Sequence, residues 1–201
     1  IIKSRFLSFF TGAFPPFFIQ MTILLGFIFV AVVAQRLLEL RLAERNRKAA
    51  LARGGVEYGA NHYFLFVLLH SLWLASWATE GWIRARDANS WNEGDTASVV
   101  LTVASIMIFL LAEALRYWAI FSLKGAWNTR IIVVPSDTPV RSGAYKFLKH
   151  PNYVAVAIEL AAVPLIFGAW KTALWASLAN AALLLLIRIP AENKAMSEHL
   201  S

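Results

Sequence analysis

Cysteine is absent from the 201 residues, which excludes disulfides, thiolate catalysis, iron–sulfur clusters and cysteine-ligated zinc. Charge is scarce: Asp, Glu, Lys and Arg make up 15% of the chain, against about 25% in an ordinary soluble domain. Acid is scarcer than base, with 12 Asp and Glu against 19 Lys and Arg, a net charge of +7. No Gly-x-Gly-x-x-Gly follows a plausible strand, so a doubly wound dinucleotide-binding domain is not expected. There is no internal repeat and no low-complexity tract, and residues 1–201 read as a single domain.

What fills the chain is apolar. Hydrophobic residues make up 59% of it and mean hydropathy is +0.58, which rules against a water-soluble globule. The basic clusters are flanked by long apolar runs, so their partner is expected to be anionic lipid, not nucleic acid. A crossing helix needs about 20 mainly apolar residues. Five stretches qualify, at about 17–38, 62–83, 97–123, 151–169 and 172–189, and predict an all-α integral membrane protein. The third exceeds the hydrocarbon layer, and the last two are joined by little more than Trp170 and Lys171. The first 18 residues carry Lys3 and Arg5, but Pro15-Pro16 interrupts them and no small-residue cleavage site follows, so they do not read as a signal peptide.

Positive charge orients the spans. Arg36, Arg41, Arg45, Arg47, Lys48 and Arg53 fall between spans one and two. Lys124, Arg130, Arg141, Lys146 and Lys149 fall between spans three and four, and Arg188 and Lys194 lie at the C-terminal end. In a five-span protein all of these share one side, against Lys3, Arg5, Arg84, Arg86 and Lys171 on the other. Segment 124–150 and the tail 190–201 are thereby expected in the cytoplasm. Trp82, Trp91, Trp170 and Trp175 would line the outer interface and Trp127 the inner one, an ordinary aromatic belt.

Ionisable residues inside spans are costly and usually face protein or a wet cavity. Here they are His70, Glu113, Arg116 and Glu159, with Arg188 and Glu192 at the end of span five. Glu113 and Arg116 are three apart and share a helical face, as a structural ion pair or as part of a substrate cavity. His70 suits a packing histidine. Glu159 suits either a helix–helix hydrogen bond or a cavity wall. Arg188 and Glu192 share a face if Pro190 only kinks the helix, and do not if it ends it. Arg188 alone would suit a snorkelling anchor.

The chemistry concentrates between spans three and four. The β-branched run Ile131–Val134 ends at Pro135, and Ser136-Asp137-Thr138-Pro139 is turn material. Pro151 suits the first turn of span four, where its missing N–H has no helical partner. With Lys149 and His150 just before it, that helix start forms a cationic cradle for an anionic end of a small ligand, or else a plain loop-to-helix junction.

Gly143-Ala-Tyr145, Lys149-His150-Pro151-Asn-Tyr153, Arg188-x-x-x-Glu192-Asn193-x-x-Met196 and the upstream Leu115-Arg116-Tyr117-Trp118 with Gly125-Ala-Trp127 closely resemble the isoprenylcysteine carboxyl methyltransferase family. Gln35-Arg36-Leu-Leu-Glu39-Leu, Arg45-Asn46 and His62-Tyr63 resemble one bacterial branch, whose members often accompany type III polyketide synthases. Lys149 stands where the family has Arg, Asn193 where it has a second acid, and Met196 where it has Leu.

The resemblance implies S-adenosylmethionine (SAM) bound without a Rossmann sheet, by Tyr145, Lys149, His150, Pro151 and Tyr153. Arg188 and Glu192 would act at the reacting centre, and Glu159, Glu113 and Arg116 would sit about a cavity for a greasy acceptor. A carboxylate acceptor needs a cation to hold it, for which Arg188 is the candidate. A phenol or enol must lose a proton, to Glu192 or Glu159. No metal is expected. Two other readings remain: a membrane reductase of related architecture using NADPH, and a non-catalytic lipid-binding protein.

Overall fold

The computed structural model describes residues 16–86, 96–135 and 137–200. The expected reading of residues 1–15, Trp91 and Ser136 lies outside them. The described elements, in chain order, are α1 (Pro16–Ala52), β1 (Val56–Tyr58), α2 (Tyr63–Arg86), α3 (Thr96–Leu123), β2 (Ile131–Val133), α4 (Pro151–Ile166), α5 (Trp170–Leu183) and α6 (Ile189–Leu200). Short 3₁₀ turns at Ala60–His62, Lys124–Ala126 and Gly143–Lys146 break the connections, and a π-helical turn, Leu184–Arg188, joins α5 to α6.

The fold is all-α and membrane-embedded. Ile19–Ala52, Thr96–Ala126 and Trp170–Glu198 are long and apolar enough to cross a bilayer. α2, of 24 residues, and α4, of 16, lie where the second and fourth spans are expected, but neither is among the helices both long and apolar enough to cross by itself. Phe27, Val30, Leu111, Phe121 and Leu186 point outward from the long helices, each at least 65% exposed, as suits a surface solvated by lipid. Among the described residues the only sheet is a two-stranded antiparallel ribbon, with Val56 opposite Val133 and Tyr58 opposite Ile131.

Three local readings change. Residues 36–61 do not form a loop: α1 runs on for 37 residues to Ala52, because Arg, Glu, Lys and Ala dominate there and no Gly or Pro intervenes before Gly54. Its length of about 55 Å carries its last turns well beyond a hydrocarbon layer of about 30 Å. The α4–α5 hairpin turns at Phe167–Ala169, not at Trp170 and Lys171. Gly168 takes φ +63°, its N–H reaches Leu165 O at 3.0 Å and that of Ala169 reaches Pro164 O at 2.9 Å, a glycine stop of the usual left-handed kind. Trp127 is no belt residue: it is 2% exposed and packs against Ala43 and Ile120.

α3 and α4 pack together more extensively than any other pair. The core above them gathers Val32, Trp73, Trp77, Leu160, Val163, Ile166 and Phe167. Trp77 and Phe167 stack at 5.5 Å and 12°. Pro164 cannot donate to Leu160 O one turn back, and the Trp73 indole N–H takes up that carbonyl at 3.1 Å, so a proline inside α4 leaves no orphan acceptor there.

Candidate functional site

Two polar constellations lie along the bundle. The deeper joins α1, α3 and α4. Arg116 and Glu159 are each 1% exposed and form an ion pair, and Glu159 also pairs with Arg36 through its other oxygen. Arg116 donates to Glu39 at 2.9 and 3.2 Å, and Arg36 to Glu39 at 2.6 Å. Gln35 donates to Glu113 at 2.5 Å and to Glu39 at 3.2 Å. The expected pairing of Glu113 with Arg116 is the loosest link, at 3.9 Å, because Arg116 is drawn to the two carboxylates facing it from other helices. Charges this buried are tolerable only when each meets opposite charge and hydrogen bonds. Gln35, Arg36 and Glu39 are members that the span-by-span reading missed. Their signal was present, at spacings of three and four where the apolar part of α1 gives way to its charged part.

The second constellation stands at the start of α4. Gly143 adopts φ +59°. A Cβ there would lie 2.1 Å from Ser122 Oγ, the atom that accepts the Ala144 N–H at 3.1 Å, so the turn carrying Tyr145 fits α3 only with glycine. Pro151 is the first residue of α4, buried below the site. His150 and Tyr153 stack at 5.1 Å and 11°. Tyr153 Oη donates to Glu192 Oε2 at 2.5 Å and accepts from Arg188 Nε at 2.9 Å; Arg188 Nη2 donates to Thr129 O at 3.0 Å. His150 Nδ1 lies 3.8 Å from Glu192 Oε1. Lys149 donates to Asn193 at 3.0 Å, so the two polar departures from the family pattern are partners of each other. Burial lowers the pKa of His150, helped by Lys149 and opposed by Glu192, and favours a neutral ring. Burial, with Glu192 adding, pushes Tyr145 up to about 12.

Pro190 neither ends nor sharply breaks the helix: α5, the π turn and α6 follow without interruption. The wide turn directly before Ile189-Pro190 gives the proline ring room against the carbonyl one turn back. Arg188 and Glu192 are thereby held on either side of the Tyr153 hydroxyl. Arg188 is 7% exposed, so it is not a snorkelling side chain.

Two cavities meet here. One, of about 690 Å³, is lined by Tyr145, Lys149, His150, Asn152, Tyr153, Arg188, Glu192 and Asn193, with Arg53, Arg130 and Arg141 around it. The other, of about 330 Å³, lies between the helices and is lined mostly by apolar groups, among them Val33, Leu37, Leu40, Phe66, Val67 and Leu74, with His70, Arg36, Glu39 and Arg116 at its side. Trp127, Asn128, Asn152, Tyr153 and Arg188 line both. Glu113 and Glu159 do not reach the smaller cavity. They stand behind its wall, where Gln35 holds Glu113 and two guanidiniums hold Glu159. Arg36 and Glu39 take the wall positions instead. The smaller cavity's rim residues Leu37, Leu40 and Val67 are 52%, 44% and 49% exposed, so its edge lies on the lipid-facing surface of α1 and α2.

A helical membrane bundle with a polar pocket at one helix start, sharing a wall with an apolar cavity between helices, is the build of an integral membrane protein with two adjoining cavities of opposite polarity. Residues 104–198 match the isoprenylcysteine carboxyl methyltransferase family. The chain is 36% identical over 168 residues to the uncharacterized protein YpbQ of Bacillus subtilis, covering 84% of this chain and 94% of that one. It is 30% identical over 170 residues to an uncharacterized protein of Haemophilus influenzae, covering 84% and 92%. No solved structure matches the chain. The chain belongs to the isoprenylcysteine carboxyl methyltransferase family of membrane methyltransferases.

Proposed function

We propose that this protein is a SAM-dependent O-methyltransferase whose acceptor enters from the bilayer, a lipid-tailed phenol or pyrone rather than an isoprenylcysteine carboxylate. The observation that carries the reading is the shared wall: Tyr153 and Arg188 face both the larger polar cavity and the smaller apolar one. A methyltransferase has to bring a water-soluble donor and a greasy acceptor to one point and exclude water from it. Both relatives are bacterial, which favours the phenol or pyrone.

The larger cavity suits the donor on its own residues. Its volume lies within the range of about 300–1,000 Å³ usual for small-molecule sites. His150 Nε2 and Asn152 Oδ1 are buried without a hydrogen-bond partner among the described residues, and both residues line it. Tyr145, Lys149, His150 and Tyr153 would hold SAM, with Pro151 starting the helix beneath it. SAM supplies a methyl group already activated on a sulfonium. Arg188 orients the acceptor oxygen, the walls of the smaller cavity hold its tail, and Glu192 provides the nearby carboxylate. The positive-charge count supports a cytoplasmic position for this end of the bundle, at a bacterial inner membrane.

The purified protein should bind SAM by calorimetry and show no heat with NADPH. Membranes holding it should transfer label from SAM to an alkyl phenol or pyrone. NADPH binding in place of SAM would favour a reductase. Binding of neither, with no transfer to any acceptor, would leave a lipid-binding protein.

A further inference from the structure

Resting on the methyltransferase reading, we infer that Tyr153 is a catalytic residue that carries the acceptor's proton to Glu192. The argument begins with which acids can touch an acceptor. Glu192 lines only the larger cavity, so it cannot reach an oxygen in the smaller one. Glu39 does line the smaller cavity, but its carboxylate already accepts from Arg36, Arg116 and Gln35. Each of its oxygens already accepts two hydrogen bonds, so no lone pair is left for an acceptor O–H. Tyr153 is the group on the common wall whose hydroxyl is already bonded to an acid, at 2.5 Å from Glu192 Oε2. Among the described residues its oxygen accepts only the Arg188 Nε–H, at 2.9 Å, and a phenolic oxygen has a second lone pair for an acceptor O–H.

The transfer balances as follows. The acceptor hydroxyl gives its proton to Tyr153 Oη while the proton of Tyr153 moves to Glu192 Oε2. The acceptor oxygen uses the freed electron pair to bond the methyl carbon, and the pair of the broken carbon–sulfur bond stays on sulfur. A neutral phenol, a sulfonium and a carboxylate become an ether, a thioether and a carboxylic acid. Glu192, with its side chain 32% exposed, returns the proton to water through the larger cavity. Arg188 steadies the negative charge that passes across the tyrosine oxygen. An acceptor that is already a carboxylate has no proton to pass and no need of the relay.

The test compares Tyr153→Phe, Glu192→Gln and His70→Gln with the wild type, each as the full-length protein in detergent. His70 is included because it lines the smaller cavity and its Nδ1 pairs with Phe66 O at 2.8 Å, leaving Nε2 as a rival base. The first readout needs no SAM. A long-chain 4-nitrophenol bound to the protein reports by absorbance the fraction ionised at neutral pH. That fraction should fall in Tyr153→Phe, which loses the hydroxyl that bonds the phenolate, rise in Glu192→Gln, which loses a repelling charge, and hold in His70→Gln. The second readout is the ratio of kcat/KM on an alkyl phenol to that on a fatty carboxylate. It should fall about a hundredfold in Tyr153→Phe, the scale of a lost proton transfer. An unchanged ratio and unchanged ionisation in Tyr153→Phe would overturn the relay while leaving methyl transfer standing. A fall in His70→Gln instead would overturn it in favour of the histidine. Failure of the wild type to methylate any acceptor, with no SAM bound, would overturn the function and the relay together.

Discussion

Arg188 uses the geometry of a guanidinium and not merely its charge. Its Nε and Nη2 reach different partners in fixed directions, Tyr153 at 2.9 Å and Thr129 O at 3.0 Å. An ammonium is a point donor on a flexible stem and cannot hold both. Arg188→Lys should therefore lower turnover by roughly 10- to 100-fold, as expected for a lost hydrogen bond to a charged group, with folded yield nearly unchanged. Wild-type turnover in that variant would remove Arg188 from the reacting centre. Glu159 makes the opposite kind of prediction. It answers two guanidiniums at once and is 1% exposed. Glu159→Ala should cost about 3–5 kcal/mol, because the charges it leaves behind stay buried; thermal melting in detergent measures this, and an unchanged midpoint would show that Arg36 and Arg116 find other partners. At this scale the sequence was informative about presence and poor about partnership. Arg116 and Glu159 are visible as ionisable residues inside apolar runs. That Arg116 turns from its helical neighbour Glu113 to Glu39 and Glu159 depends on how three helices meet, which periodicity along one helix does not contain.

Helices were legible where composition changes sharply and less so where it changes gradually. The third span, expected at 97–123, is α3 at Thr96–Leu123. α1 overran its apolar stretch because charged residues are good helix formers, and only Gly54-Gly55 stops it. β1 escaped notice since three residues of Val-Glu-Tyr make no pattern until Ile131–Val133 pairs with them. The hairpin of α4 and α5 is fastened by a residue from a different helix. Glu80 of α2 accepts the N–H groups of Lys171 and Thr172 at 3.2 and 2.9 Å, and the Thr172 hydroxyl at 2.7 Å. This is an N-terminal cap supplied from outside the helix, with its negative charge at the positive end of the helix dipole. Glu80→Ala should destabilise the protein by about 1–2 kcal/mol without changing SAM affinity, since α5 starts far along the chain from Tyr145 and His150. A loss of SAM affinity at full stability would contradict that division of labour.

For the whole molecule, the arrangement divides the work between two solvents. The polar cavity and its ring of Arg53, Arg130 and Arg141 would meet a soluble donor, and the lips at Leu37, Leu40 and Val67 would meet lipid. Ser142 lies exposed beside the turn that carries Tyr145, and the chain has no cysteine of its own. A cysteine at Ser142 should thus react with a membrane-impermeant thiol reagent only after cells are opened. Labelling in intact cells would reverse the orientation and close the route for cytoplasmic SAM.

The cluster of Arg36, Glu39, Arg116 and Glu159 also bears on how the chain is made. Synthesis proceeds from the N-terminus, so α1 and α3 enter the membrane with two guanidiniums before α4 exists. A lone charged residue at mid-bilayer costs about 2.5–3.5 kcal/mol to insert. Glu39 alone has to answer both guanidiniums closely, with Glu113 no nearer than 3.9 Å to Arg116, until Glu159 arrives and pairs with each. A chain stopped at Lys149 should accordingly be cleared from the membrane far faster than the full chain, which a pulse–chase would measure; equal lifetimes would contradict this. The helix that completes the cluster is the one that begins with Pro151 and carries Tyr153. The membrane part should therefore mature only once the helix that carries Tyr153 has been synthesised, leaving no stable half-made protein in the bilayer with an open apolar cavity.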